Sequence, residues 1–393
     1  MKKLLPVTLL SAFLALLSFL KSLPCRNNFF QSPDSYTRLC YSDIPALFGA
    51  RGLDQGINPY SDPENSMEYP VGTGYIASTI ARFSDDFITF FDLNALFIAI
   101  LFIATTIVVS LLAPKYWPLF ALAPTLLSSL YINWDIWGVF AMLLGFFYIK
   151  KERFDLAGVW IGISIVIKFF PIFLAPIFVI YFFLRNRRDE KKSWRPFTLY
   201  LFLTIFLLNI STAITYFEGW SRFFTFNQDR GVDLGSIWYA LRLLFDLEIP
   251  SLNLSLALLA LLFFTLSYRR LQELLRREWD PHEVLILGSF LSLALLFSVN
   301  KVYSPQYIIW LTPLAVLLIK NSLERTLFWI WQVGEAIYHL GIWQYLAEYS
   351  GGTGLSEPLY ALTIVIRILT LAGFAYLLAR ARLHLPSNQL PSK

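Results

Sequence analysis

Residues 131–151, "YINWDIWGVFAMLLGFFYIKK", set a polar turn, an apolar run and a basic stop side by side. The run from Ile136 to Ile149 is uncharged and continuous rather than alternating, which reads as a helix and not as a barrel strand. Asn133, Trp134 and Asp135 crowd one end, and Lys150 and Lys151 close the other. Such a helix crosses a membrane with its basic end in the cytoplasm, because retained Lys and Arg mark cytoplasmic loops.

The pattern recurs along all 393 residues. The chain is 56% hydrophobic and 15% charged, with a mean hydropathy of +0.57, whereas soluble globular domains are about 25% charged. This composition excludes a soluble enzyme. A net charge of +5 is no sign of nucleic-acid binding here, since the basic residues sit in clusters between apolar runs: "KKER" at 150–153, "RNRRDEKK" at 185–192, "YRRLQELLRR" at 268–277 and "RAR" at 380–382. Keeping these on one side predicts about twelve crossings, near 4–23, 88–112, 118–132, 136–149, 156–169, 171–184, 196–217, 252–268, 283–299, 305–319, 326–345 and 358–379. The expected fold class is an all-α, polytopic membrane protein: one transmembrane domain over 1–393, multi-pass in the cell membrane, with both termini cytoplasmic. A long first extracytoplasmic loop, 24–88, carries short interfacial helices and the catalytic segment, and a second large loop covers 218–250.

The first run follows Lys2 and Lys3 and lacks a small-residue cleavage pattern, so it reads as a retained anchor. Cys25 and Cys40 fall in the first loop, either as a bridge or as two unrelated thiols. No CxxC and no Cys/His cluster points to a metal or redox centre.

A charge within an apolar segment costs about 2.5–3.5 kcal/mol at a helix centre, so persistent ones are candidates for function. On the predicted topology they fall on the outer side. In "YSDIPALFGARGLDQGINPY", residues 44–54 read as a short helix, and Asp43 reads either as its cap or as a reactive carboxylate. Glu68 and Tyr69 stand before Pro70 at the entry to a Gly-rich helix, structural or ligand-facing. Asp135 either caps the helix after the Asn133 turn or faces substrate. Lys168, before Phe169, Phe170 and Pro171, either snorkels to headgroups or binds an anion. Arg230 with Asp233, and Lys301 with Tyr303, Ser304 and Gln306, lie at further outer breaks. Lys168, Arg230 and Lys301 together are three cations suited to a phosphate. Glu335 and His339 make an i, i+4 pair that reads as packing or as function.

"YSDI", "GINPY", "EYP", "NWD", "KFFP" and "NKVYSPQYIIWLTPL", in that order, resemble the integral-membrane glycosyltransferases of the GT-C superfamily. Within it they most resemble glycosyltransferase family 87, the polyprenol-phosphate-mannose-dependent mannosyltransferases. The resemblance spans about residues 30–320. It implies transfer of a hexose, mannose by analogy, from a polyprenyl-phosphate donor to a glycolipid or glycan acceptor on the extracytoplasmic face, with the lipid bilayer as the other partner. Asp43 matches the family's catalytic base, Lys168 the basic residue before its helix-breaking proline, and "SPQY" a donor-lining segment; Arg230 falls in a loop of variable length. One carboxylate and a good leaving group imply inversion. Glu68, Tyr69, Asn133, Asp135, Lys168, Arg230, Lys301, Tyr303 and Gln306 are the expected substrate-binding set. No cofactor is expected and no metal site, as the first loop has no Asp-x-Asp; a divalent ion at Glu68 or Asp135 stays an outside alternative. The rival readings are a multi-pass transporter or flippase of a lipid-linked sugar, and a polysaccharide polymerase or ligase using a diphosphate-linked donor.

Overall fold

The structure is a computed structural model and describes residues 4–186, 192–247 and 280–383. The regular elements among these residues are all helices, with no strand. Helix α1 is Leu5–Asn27; α2 (Asp34–Thr37), α3 (Asp43–Ala50) and α4 (Val71–Ala81) are the short helices of the first loop; α5 is Phe87–Leu112. Then come α6 (Trp117–Ala121), α7 (Pro124–Ser129), α8 (Asp135–Lys150), α9 (Phe154–Ile167), α10 (Ala175–Asn186) and α11 (Trp194–Thr215). The amphipathic α12 (Phe217–Asp229) and α13 (Ile237–Phe245) follow, and the chain continues through α14 (Pro281–Val299), α15 (Ile308–Leu318), α16 (Ser322–Tyr349) and α17 (Glu357–Leu383).

Among the described residues five helices, α1, α5, α11, α14 and α17, are long and apolar enough to cross a membrane. Shorter apolar helices fill in between them, so the chain is a multi-pass membrane protein. The expected crossing at 118–132 is a correction: it is two short helices, α6 and α7. Pro124 offers no N–H and biases Ala123 to extended backbone (φ −64°, ψ 111°), which ends the first helix. Phe120 and Leu126 are fully buried, so this broken backbone lies within protein rather than lipid. The expected helix at 171–184 starts as a 3-10 turn, Phe170–Leu174. The expected crossing at 252–268 and the "YRRLQELLRR" cluster lie outside the described residues, as does His384.

Ion pairs and hydrogen bonds gather helix ends at two poles. At one pole sit "KKER" and the end of α17, tied by ion pairs of Arg185 with Glu152 (2.8 Å), Lys320 with Glu283 (2.6 Å) and Arg382 with Glu283 (2.9 Å) and Glu324 (2.5 Å). The first-loop helices, the Asn133 turn, the end of α9 and residues 300–307 meet at the other. A Cys25–Cys40 disulfide closes part of the first loop there, so of the two readings of these cysteines the bridge is the one present. Helix α11 turns Leu199, Phe202, Phe206 and Leu207 outward, the face expected of a helix against lipid.

Candidate active site

Ser42, not Asp43, caps α3: its Oγ accepts from Ile44 N (3.2 Å) and donates to Tyr131 O (2.8 Å). Asp43 therefore occupies the first turn with its carboxylate free for other partners. Its Oδ1 accepts from Tyr41 Oη (2.8 Å) and its Oδ2 from Asn133 Nδ2 (2.8 Å). Backbone anchors the same meeting, Asp43 N donating to Ile132 O at 2.9 Å.

Asn133 is the hub of the adjoining wall. Its Nδ2 also donates to Tyr69 Oη (2.7 Å), and its Oδ1 accepts from Lys168 Nζ (3.2 Å) and Trp134 N (2.7 Å). Lys168 Nζ lies 3.4 Å from Asp135 Oδ2 and 4.2 Å from the centre of the Tyr69 ring. The pairing follows from helix geometry. Asp135 begins α8 and Lys168 ends α9, so each charge meets the favourable end of its own helix dipole where the antiparallel ends meet. Trp310 Nε1 donates to the other Asp135 oxygen (2.7 Å). Gly138 makes room: a Cβ there would come within 2.7 Å of the Trp310 ring. Gly72 does the same for α4, where a Cβ would meet Val166 O at 2.8 Å, and Thr73 Oγ1 donates to Ile167 O (2.6 Å), seating Tyr69 above Lys168.

These groups border a cavity of about 680 Å³ whose lining includes Asp43, Glu68, Tyr69, Lys168, Arg230, Lys301 and Gln306. Arg230 pairs with Asp233 (2.6 Å), and Asp233 N donates to Lys301 O (2.8 Å), joining the two segments that bear the cations. Lys301 Nζ donates to a backbone carbonyl, Gln228 O (2.9 Å), rather than to a carboxylate. Glu68 pairs with Arg51 (2.7 Å) at the rim. Asn133 and Asp135 stand behind the wall and act on the cavity through Asp43 and Lys168.

Tyr303 is placed elsewhere. Its hydroxyl donates to Glu335 Oε1 (3.0 Å), and Arg367, fully buried on α17, pairs with Glu335 (2.8 Å) and stacks on the Tyr303 ring at 3.3 Å. Arg367 also donates to Tyr303 O (2.7 Å) and Ser304 O (3.1 Å), which holds the strand of backbone leading to Gln306. His339 packs on Trp343 instead of pairing with Glu335.

Burial pushes the Asp43 carboxyl above the usual range, opposed by the bonds from Tyr41 and Asn133 and by the Lys168 charge. The Asp43 charge and burial raise Tyr41, which stays a donor. Burial, with the Arg230 charge, lowers Lys301. Among the described residues no group of three or more His, Cys, Asp or Glu is placed to hold a metal ion.

The sequence profile of glycosyltransferase family 87 matches residues 69–299, more than half of the chain. The chain belongs to this family. It is therefore a membrane glycosyltransferase, and the transporter reading falls away. The family 87 match takes in Tyr69, Asn133, Asp135, Lys168 and Arg230, while Asp43, Lys301 and Gln306 lie outside it. Two solved structures of ArnT from Cupriavidus metallidurans are similar to the chain. The apo state is 13% identical at a TM-score of 0.45, covering 85% of this chain and 72% of that one. The state bound to undecaprenyl phosphate is 12% identical at a TM-score of 0.40, covering 85% and 75%. No curated protein matches the chain.

Sequence reasoning missed Tyr41, Arg51 and Arg367. Arg367 had a signal: it is a lone cation within the apolar run "YALTIVIRILTLAGF". Tyr41 and Arg51 had none, since a tyrosine and an arginine in a polar loop are unremarkable until their partners are known.

Proposed function

We propose that this family 87 enzyme transfers a hexose, mannose by family resemblance, from a polyprenyl-phosphate donor to an acceptor hydroxyl. Asp43 acts as the general base, and the anomeric centre is inverted. The observation that carries the reading is a junction of two spaces. The polar cavity shares Pro70, Phe169, Phe223 and Phe224 with an apolar pocket of about 270 Å³ that also includes Ile205 and Phe206 of α11. A lipid-linked anionic donor calls for that combination: cations at the headgroup, and an apolar slot beside the helix that faces lipid.

In the reaction the acceptor oxygen bonds to the anomeric carbon as its bond to the phosphate oxygen breaks. The acceptor proton passes to Asp43, and polyprenyl phosphate leaves from the opposite face. Lys168 is already balanced by Asp135 and Arg230 by Asp233. Lys301, held by a carbonyl, therefore brings the least compensated charge to the developing phosphate dianion. The cavity pole, with loop segment 24–88 and the described residues 218–247 of the second loop, is assigned to the extracytoplasmic side and both termini to the cytoplasm. Of the basic clusters, "KKER" and "RAR" lie among the described residues at the opposite pole and support this.

The test is label transfer by detergent-solubilised enzyme from polyprenyl-phosphate-mannose to a membrane glycolipid extract. The expected result is transfer that Asp43→Asn abolishes. Transfer from a diphosphate-linked donor alone would assign the enzyme to the polymerase or ligase class instead.

A further inference from the structure

Beyond the slot at Ile205 and Phe206 the apolar space continues. A second apolar pocket, of about 390 Å³, is bordered among the described residues by α9, α10 and α11, and the two pockets have Ile165 of α9 in common. On α11 their linings join into one stripe: Trp194, Thr198 and Leu201 border the second pocket, and Ile205, Asn209 and Ala213 the first. These positions recur every three or four residues, so they share one face of the helix. At 1.5 Å per residue the stripe from Trp194 to Ala213 is about 28 Å long, close to the ~30 Å of a bilayer's hydrocarbon.

The sequence builds this groove with two devices. Gly158 and Gly162 draw α11 onto α9, since a Cβ at Gly158 would run into Phe197 O and one at Gly162 would come within 2.9 Å of Thr204 Cβ. Pro171 opens a 3-10 turn after α9, and α10 then leans on α14, where a Cβ at Gly288 would meet Ile177 at 2.9 Å. With α11 held to α9 and α10 held to α14, a furrow is left between α10 and α11. Phe178 and Phe182 of α10 reach Phe197 at 4.9 and 5.0 Å and make its floor, while Val179 and Phe202, 69% and 63% exposed, stand at its rims.

The occupant follows from where the groove starts. Its near end is the pocket that shares Phe169, Phe223 and Phe224 with the polar cavity, so a chain fixed at the cations by its phosphate is led onto α11 as it leaves. The acyl chains of a phospholipid fill one leaflet, about half of that ~30 Å. Only a longer lipid fills the groove from end to end.

We propose that this groove reads the length of the donor's chain: the polyprenyl tail lies along α11 from Ala213 to Trp194, and donors long enough to reach the far half are preferred. This rests on the polyprenyl-phosphate reading above and adds which part of the lipid is recognised. Lipid tails are as apolar as the groove, so the gain is not hydrophobic. It comes from close packing of the tail on fixed rings, and it grows with each isoprene unit that finds a place.

The experiment compares geranylgeranyl-, heptaprenyl- and undecaprenyl-phosphate-mannose as donors to a membrane glycolipid extract, with the full chain in lipid nanodiscs. In the wild type kcat/KM should rise along that series. Thr198→Trp and Val179→Trp fill the far half of the groove, and each should cut the advantage of undecaprenyl over geranylgeranyl roughly tenfold while geranylgeranyl transfer stays at its wild-type value. Taking the ratio within one variant cancels the donors' different partitioning into the disc. Leu199→Trp adds the same ring on the outward side of α11, away from the groove, and should leave the ratio alone. Val179 is a rim position, so its variant carries the test if Thr198→Trp lowers the melting temperature. Equal kcat/KM for the three donors, an undiminished ratio in a variant of wild-type melting temperature, or an equal drop in Leu199→Trp each overturn the proposal. Equal use of the three donors would leave the polyprenyl-phosphate reading standing and give the groove to membrane lipid. No transfer from any of them would count against that reading and take the groove's role with it.

Discussion

Asn133 and Asp43, ninety residues apart, are joined by a 2.8 Å hydrogen bond from amide to carboxylate. Because the oxygen of the same amide accepts from Lys168 at 3.2 Å, one short side chain ties the candidate base to the first of the cations. A rigid link of this kind fixes base and headgroup site relative to each other before substrate arrives.

Asp43→Asn is expected to fold and to lose transfer by about 10²–10⁴-fold, the usual contribution of a general base. The amide can donate to Tyr41 Oη and still accept from Asn133, so no partner is stranded. Burial raises the Asp43 pKa, so its stabilising contribution is present at low pH and lost as pH rises through the folded-state value. The variant's melting temperature at neutral pH should equal or exceed that of the wild type.

The pH profile of kcat/KM should be bell-shaped. Its acid limb reports Asp43 and lies above the ordinary carboxylate range; Asn133→Ala, which removes a bond favouring the charged form, should move that limb higher still. The alkaline limb reports Lys301, lowered by burial, and Lys301→Arg should push it out of the measurable range.

Lys168→Met strands the fully buried Asp135 and should cost roughly 3–5 kcal/mol of stability. Pairing it with Asp135→Asn removes the stranded charge, so the double variant should regain much of the melting temperature without regaining transfer. Recovery of both would make Lys168 a structural residue only.

Loss of the Cys25–Cys40 bridge, by Cys25→Ser with Cys40→Ser, should destabilise the first loop by about 3 kcal/mol from loop-closure entropy. The measurement is protease nicking between residues 28 and 40, which should quicken in the double variant and in reductant-treated wild type.

Arg367→Met should lower the affinity for the donor, read as a rise in its KM, because the Arg367 bonds to Tyr303 O and Ser304 O hold the segment that presents Gln306. Arg367→Lys should rescue little, since a point charge cannot reproduce a forked set of donors.

By itself the sequence determined the membrane class and most helix positions. It also determined which charged residue types sit at helix ends, as Asp135 and Lys168 do. Lipid makes these features visible in one dimension, because every apolar run and every polar exception carries a large transfer cost. Only the tertiary structure decided how the side chains were shared out. Ser42 took the cap that Asp43 was equally suited to take. Tyr303 turned from the cavity to Glu335 and Arg367, and the run at 118–132 broke into two. Trp343 came to rest against Tyr36 from the far end of the chain. Such contacts depend on which helix ends meet and on the rotation of each helix about its axis. Several rotations satisfy the same apolar pattern, and packing against neighbours hundreds of residues away selects among them.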